Sequence, residues 1–166
     1  YLLSQPDKME KILSSIRSKH KGRFTAKIRV GYRDDHLFSE ILDVLESCGV
    51  EAITIHARTR DQLYKDKADW KYIRKAVHKC KVPIIGNGDL WTFSDVISMY
   101  EYTGCHSVML ARGAMKTPWF AKIFKQIPNA SDLKRIDPDY LLTIRREEIF
   151  RYYENLKHKY LSSGSV

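Results

Sequence analysis

Four times along this chain a short run rich in β-branched or small apolar residues gives way to a stretch with helical apolar spacing, and this alternation restricts the fold more than any other property. Phe24 to Val30, Val50 to His56, Val82 to Ile85 and Ser107 to Ala111 read as strands. After the first comes Leu37, Ile41, Val44 and Leu45, after the second Trp70, Ile73 and Val77, and after the third Phe93, Val96, Ile97 and Tyr100, each set on one helical face. A helix with Met9, Ile12, Leu13 and Ile16 precedes them, running from Pro6 to about Lys19. Successive strand ends lie roughly 25 to 30 residues apart, the length of one βα unit. Strands joined by helical crossovers are parallel, which leaves a doubly wound sheet or an eightfold barrel. Both folds place working residues at the carboxyl ends of their strands.

Local signals sharpen the boundaries. Gly49 stops the second helix and Gly104 precedes the fourth strand. Asp69 is the expected N-cap of the helix carrying Trp70, and Thr92 with Asp95 has the spacing of a capping box. Thr117 and Pro118 are expected to open a last helix through Phe120, Ile123 and Phe124. From Asp137 the pattern changes to helix without strands, Tyr140, Ile144, Ile149, Tyr152, Tyr153, Leu156 and Tyr160 being interleaved with Arg145, Arg146, Arg151, Lys157 and Lys159. The division expected is an α/β unit over 1–127, a linker over 128–138 and a helical element over 139–166. The opening at Tyr1 without Met and the closing Ser162-Ser163-Gly164-Ser165 read as cut edges.

Charge narrows the partner. A formal charge of +9 points to a polyanion, with nucleic acid the leading class and a merely basic protein the alternative. No apolar run approaches the roughly 20 residues that span a bilayer, so no membrane association is expected and a cytoplasmic location fits. Cys48, Cys80 and Cys105 follow no metal-ligand spacing; they suit a reducing compartment and packing roles, and no metal site is expected.

Chemistry concentrates at the strand ends. Gly86-Asn87-Gly88-Asp89 follows the third strand: its glycines let the backbone turn and approach a ligand, Asn87 offers an amide and Asp89 an acceptor. A plain connecting loop is the alternative, because Asn, Gly and Asp are common turn residues. One βα unit later, Ala111-Arg112-Gly113-Ala114 sets a cation beside a glycine. Together the two suit the phosphate site that barrels form after their seventh and eighth strands; a structural ion pair is the alternative for Arg112. Lys27 interrupts an apolar strand, where burying an unpaired ammonium is costly, so it is expected to face a site. His56 ends the next strand, and its register with Lys27 suggests a shared rim.

Taken together, Lys27-Ile28-Arg29-Val30-Gly31, then His56-Ala57-Arg58-Thr59-Arg60 with Tyr64 and Ala68-Asp69-Trp70, then Gly86-Asn87-Gly88-Asp89, then Ala111-Arg112-Gly113-Ala114 with Pro118-Trp119, resemble the tRNA-dihydrouridine synthases. The resemblance covers roughly residues 1 to 126 and implies the second half of a (β/α)8 TIM barrel, four βα units, followed by the start of a helical tRNA-binding domain. It implies FMN and NADPH as cofactors and tRNA as partner, the reaction being reduction of the C5–C6 bond of uridine. By the same resemblance, Lys27, His56, Asn87, Gly88, Asp89, Ala111 and Arg112 would hold the cofactor, while Arg58 and Arg60 would meet the RNA. The proton-donating cysteine of that family lies in an Asn-x-Gly-Cys-Pro-like motif upstream of the matched region. No catalytic residue is therefore expected here, and the chain alone should lack catalysis. Two other readings stay open from the residues: an FMN barrel oxidoreductase acting on a small molecule, and a noncatalytic RNA-binding half-barrel module.

Overall fold

A computed structural model describes residues 1–118, Phe120 and Glu154 of the chain. Two compact units divide it, Tyr1–Lys116 and Thr117–Val166. In the second, the Phe120 N–H donates to the Thr117 carbonyl at 3.0 Å. The expected helix through Ile123 and Phe124, the linker over 128–138 and the helical element over 139–166 lie outside the described residues.

The first unit alternates α1 (Pro6–Lys19), β1 (Thr25–Arg29), α2 (Phe38–Ser47), β2 (Ala52–His56), α3 (Lys71–Lys79), β3 (Ile84–Asn87), α4 (Phe93–Thr103), β4 (Ser107–Met109) and α5 (Arg112–Lys116). The four strands form one sheet in the order β1-β2-β3-β4, every pair parallel. Sequential order with a helix in each connection is the arrangement that the strand–helix period implied. The fold is thus α/β with a four-stranded parallel sheet.

Register sorts the side chains by face, because residues paired across parallel strands point the same way. One face carries Ile28, Ile55, Gly86 and Val108 in a single row, with Ile53 and Ile84 in the next. These isoleucines are buried, together with Phe38, Ile41, Leu42 and Leu45 of α2, Ile73 and Ala76 of α3, and Phe93, Val96 and Met99 of α4. Gly86 locates α4 on this face: a Cβ there would come within 2.4 Å of the Met99 sulfur. The opposite face carries Lys27 with Thr54, and then Arg29, His56, Asn87 and Met109 in one row at the carboxyl ends of the strands.

Several boundaries differ from expectation for local reasons. β3 begins after Pro83, which has no N–H to donate, and runs through Gly86 and Asn87; the turn starts at Gly88. α3 begins after Trp70, one residue later than expected, although the Asp69 carboxylate accepts the Lys71 N–H at 3.1 Å. Arg112 and Gly113 form the start of α5 rather than a turn. On α1 only Met9 is buried, while Ile12 and Ile16 of the expected apolar face are exposed. The capping box of α4 is present, with the Asp95 N–H donating to Thr92 Oγ1 at 3.2 Å and the Thr92 N–H donating to Asp95 at 2.8 Å. Replacing Thr92 by Ala removes one of these bonds and should lower stability by about 1 kcal/mol. Urea denaturation checks this, with a lower midpoint at unchanged slope as the expected result.

Candidate functional site

At the carboxyl ends of the strands lies an open hollow of about 170 Å³. Lys27, His56, Asn87, Gly88, Asp89, Ala111 and Arg112, the residues singled out from the sequence, all line it. They come from four different strand ends, so parallel register rather than chain proximity brings them together. His56 pairs with Arg29 in the register, not with Lys27 as expected; Lys27 lies opposite Thr54, one step deeper on the same face. Lys27 is exposed on the open side of the sheet.

Asp89 organises the loop side of the hollow. Its φ of +53° is left-handed, a conformation Asp tolerates better than most side chains. Its carboxylate accepts from the Ala68 N–H at 2.8 Å, from Arg58 Nη2 at 2.6 Å and from Arg112 Nη2 at 3.4 Å. Burial works to raise the Asp89 carboxyl, but these hydrogen bonds and the charges of Arg58 and Arg112 outweigh it and hold the group below the usual carboxylate range. The close approach of the loops depends on glycine at two places. Gly88 has φ +127°, and a Cβ there would lie 2.7 Å from Ala68 Cβ. At Gly113 a Cβ would lie 2.0 Å from the Leu90 carbonyl oxygen, so only glycine lets α5 start against that backbone.

Arg58 and Arg60, both expected to face RNA, are placed differently. The Arg58 side chain is 3% exposed. It donates to Asp89, to the Asp66 carbonyl at 2.6 Å and to His56 Nε2 at 3.3 Å. Its position two residues beyond His56, after β2 has ended, folds it back under the loop instead of outward. Arg60 is exposed, lies over the Tyr32 ring at 5.7 Å and pairs with Asp61 at 3.5 Å. Asn87 also has structural work, its Nδ2 donating to the Met109 carbonyl at 2.6 Å across to β4.

Arg29, Tyr64 and Trp91 also line the hollow and were not assigned roles from the sequence. Arg29 shares the face of Lys27 two positions on, which strand period alone signals; its guanidinium donates to the Thr59 carbonyl at 2.8 Å. Tyr64 and Trp91 sit in loops without periodicity, so only the structure locates them. Arg112 lies 4.3 Å from the Tyr64 ring centre and 4.7 Å from that of Trp91, a cation held against two aromatic rings. None of the three cysteines lines the hollow. Cys48 and Cys105 are buried, and burial pushes the Cys80 thiol up to about 11. Among the described residues no cluster of His, Cys, Asp or Glu is built to hold a metal ion, and no helix is long and apolar enough to cross a membrane.

Electrostatically the hollow is cationic: Lys27, Arg29 and Arg112 line it against the single carboxylate of Asp89. Burial, with Arg29 and Lys27 nearby, lowers His56 to about 4, so its imidazole is neutral at physiological pH. Lys27, though exposed overall, is also lowered, by partial desolvation of its ammonium and by the charge of Arg29.

A parallel α/β sheet with a cationic, glycine-edged hollow at its strand ends has the charge and backbone shape that suit an anionic ligand. The family model for dihydrouridine synthase (Dus) matches residues 1–162, and the chain belongs to that family. It is 34% identical over 138 residues to a tRNA-dihydrouridine(16) synthase of Neisseria meningitidis serogroup B, covering 82% of this chain and 41% of that protein. It is 36% identical over 138 residues to tRNA-dihydrouridine synthase B of Proteus vulgaris, covering 82% of this chain and 42% of that protein. With a probable tRNA-dihydrouridine synthase of Aquifex aeolicus it shares 42% identity over 102 residues, 61% of this chain and 32% of that one. The chain thus spans about two fifths of the length of the first of these relatives.

The His56 environment generates a pH prediction. The folded state holds this imidazole neutral down to about 4, whereas in the unfolded chain it takes up a proton near 6.5. Unfolding therefore binds a proton between those values, and stability falls as pH drops from about 6.5 to about 4 and this contribution levels off below. Denaturation midpoints measured across that window should show the fall, and His56→Gln should flatten it.

Proposed function

We propose that this chain is the carboxyl-terminal half of the (β/α)8 catalytic barrel of a tRNA-dihydrouridine synthase, with the start of a helical tRNA-binding domain over 139–166. The reading rests chiefly on one observation: cations and neutral donors from four successive strand ends converge on a single hollow. Family membership and the names of the relatives support it. So does the sheet, four parallel strands in sequential order, which is half the complement of such a barrel.

The hollow fits FMN. Its glycine edges leave room that a Cβ would fill, and its donor set suits a phosphate and a chain of hydroxyls. Arg112, steered by Asp89 and flattened against Tyr64 and Trp91, presents a fixed guanidinium for the phosphate. Lys27 and Arg29 add positive charge on the β1 side, and neutral His56 supplies a polar contact without further charge. Asn87, Gly88 and Ala111 shape the floor between them. Bound FMN, recharged by NADPH, supplies the two-electron chemistry that reduces the C5–C6 bond of uridine. The residues of this chain bind and orient; protonation of C5 is the task of an acid outside the hollow's lining, in keeping with its lack of cysteine. The exposed Arg60 and the +9 charge suit contact with tRNA phosphates, and the reading implies work in the cytoplasm. Arg58, turned inward, serves this site by holding Asp89 rather than by meeting RNA.

Two measurements test the reading. Added to the purified chain, FMN should quench its own fluorescence on binding and bind more tightly than riboflavin, which lacks the phosphate. Arg112→Ala should weaken FMN by roughly 10- to 100-fold, the loss of one charge-assisted pairing, and leave riboflavin almost unchanged. Equal affinity for the two flavins would overturn the phosphate grip. Binding of tRNA should weaken linearly in log–log against salt, and Arg60→Ala should lower that slope by about one.

A further inference from the structure

Arg58 is the most deeply buried charged side chain in the described structure, 3% exposed, and it does not line the 170 Å³ hollow. Its three directions are all occupied. Nη2 donates to Asp89 and to the Asp66 carbonyl, both at 2.6 Å; Nε reaches the same carbonyl at 3.3 Å; and Nη1 points at His56 Nε2, 3.3 Å away. A guanidinium has five donors and no acceptor. In that contact His56 Nε2 must accept, which makes it the unprotonated nitrogen. The proton of the neutral ring then resides on Nδ1, which has no hydrogen-bond partner among the described residues although His56 is only 8% exposed.

We infer that Arg58 is a positioning residue for His56: anchored by Asp89 and Asp66, it caps Nε2 and so keeps Nδ1–H as the donor that the ring offers to an acceptor oxygen of a bound ligand. For the identity of that ligand, a flavin, the inference rests on the function proposed above; the tautomer itself does not.

The surroundings agree from every side. Lys27 and Arg29 on β1 and Arg58 on the following loop face the ring with positive charge, Asp89 beyond β3 is the single opposing carboxylate, and the Tyr64 ring packs at 6.3 Å between centroids. A second proton on the ring would meet three cations and would remove the acceptor that Arg58 needs. Lysine would not serve as well at this position, because one ammonium cannot span Asp89, the Asp66 carbonyl and His56 with the fixed fork of a guanidinium.

The test is a long-range ¹H–¹⁵N correlation spectrum of the full chain with ¹⁵N-labelled histidine. Six histidines contribute, and His56→Gln identifies the signals of His56. At neutral pH the wild type should show His56 as the Nδ1–H tautomer alone; an Nε2–H pattern would overturn the inference without any variant. Arg58→Gln should give mixed tautomers and raise the His56 midpoint only modestly from about 4, because burial, Arg29 and Lys27 still hold it down. Arg58→Lys, which keeps the charge and guards against a misfolded Gln variant, should also mix the tautomers while leaving the midpoint low. Retention of pure Nδ1–H in Arg58→Lys would overturn the positioning role. FMN affinity supplies the functional arm. At pH 7.5 Arg58→Lys, which keeps the charge, should bind FMN about two- to fivefold more weakly than wild type, in proportion to the fraction of the ring its spectrum shows in the Nε2–H form. Unchanged affinity in a variant whose spectrum shows mixed tautomers overturns the donor role. Failure of the wild type to bind FMN at all strikes the proposed function and leaves the tautomer result standing.

Discussion

Everything at this site depends on the parallel register that sets Arg29, His56, Asn87 and Met109 side by side. Because side chains alternate along a strand, a slip of one residue in any strand would carry its member of this row to the helix-covered face and put an isoleucine, Gly86 or Val108 in its place. The apolar face makes such a slip expensive. Ile28, Ile53, Ile55 and Ile84 are buried there against helices that contribute Phe38, Leu42, Ile73 and Met99. Gly86 tightens the choice further, since Met99 occupies the space of any Cβ at that point. Core packing on one face therefore specifies polar geometry on the other, and the site inherits its precision from contacts it does not touch.

The loops solve a second problem, which is how to bring several cations into one hollow without leaving them unbalanced. Asp89 is the common counter-charge for Arg58 and Arg112, one buried and one half-exposed. The two pairs differ in kind. The Arg58 pair is closed, with fixed partners at 2.6 Å, and removing one member of such a buried pair leaves an uncompensated charge at a cost of about 3–5 kcal/mol. The Arg112 contact is longer, at 3.4 Å, and its guanidinium rests against Tyr64 and Trp91, oriented but still accessible. A single carboxylate thus fixes one arginine as scaffold and aims another at the hollow.

How much of this was legible in the sequence follows from what kind of signal each feature leaves. Strand period and helical spacing report burial on one face, so the four βα units, the cap at Thr92 and the strand-end positions of His56 and Asn87 could be read directly. Where a residue's fate depends on a distant neighbour, they failed. Gly86 looked like a turn glycine and is a strand glycine packed against Met99, thirteen residues later in the chain. Gly113 likewise looked like a turn residue and belongs to α5 because the Leu90 carbonyl leaves no room for a side chain. Arg58 resembled a surface cation in a polar loop, and only the placement of Asp89, thirty-one residues on, turns it inward. The exposure of Ile12 and Ile16 has the same origin: periodicity marks an apolar stripe on α1 but not how much of it the rest of the described chain covers.

The hydrogen-bond inventory of the hollow constrains its ligand more tightly than its charge does. Asp89 is the one ionic acceptor, and its carboxylate is already engaged by the Ala68 N–H, Arg58 and Arg112. The Gly88 carbonyl accepts from the Trp70 indole at 3.0 Å, and the Met109 carbonyl accepts from Asn87. What remains facing the hollow is dominated by donors: the ammonium of Lys27, the guanidinium groups of Arg29 and Arg112, and the N–H of a neutral His56. A ligand rich in donors, such as an amine or another guanidinium, would find its partners already taken and would add charge to a cationic field. A ligand rich in acceptors meets the opposite situation at every wall. Phosphate oxygens, hydroxyl lone pairs and ring carbonyls are the groups that this arrangement can satisfy together. That inventory suits an extended, oxygen-bearing ligand better than a simple anion, because a lone phosphate at the Arg112 end would leave the Lys27 ammonium and the His56 N–H unmet.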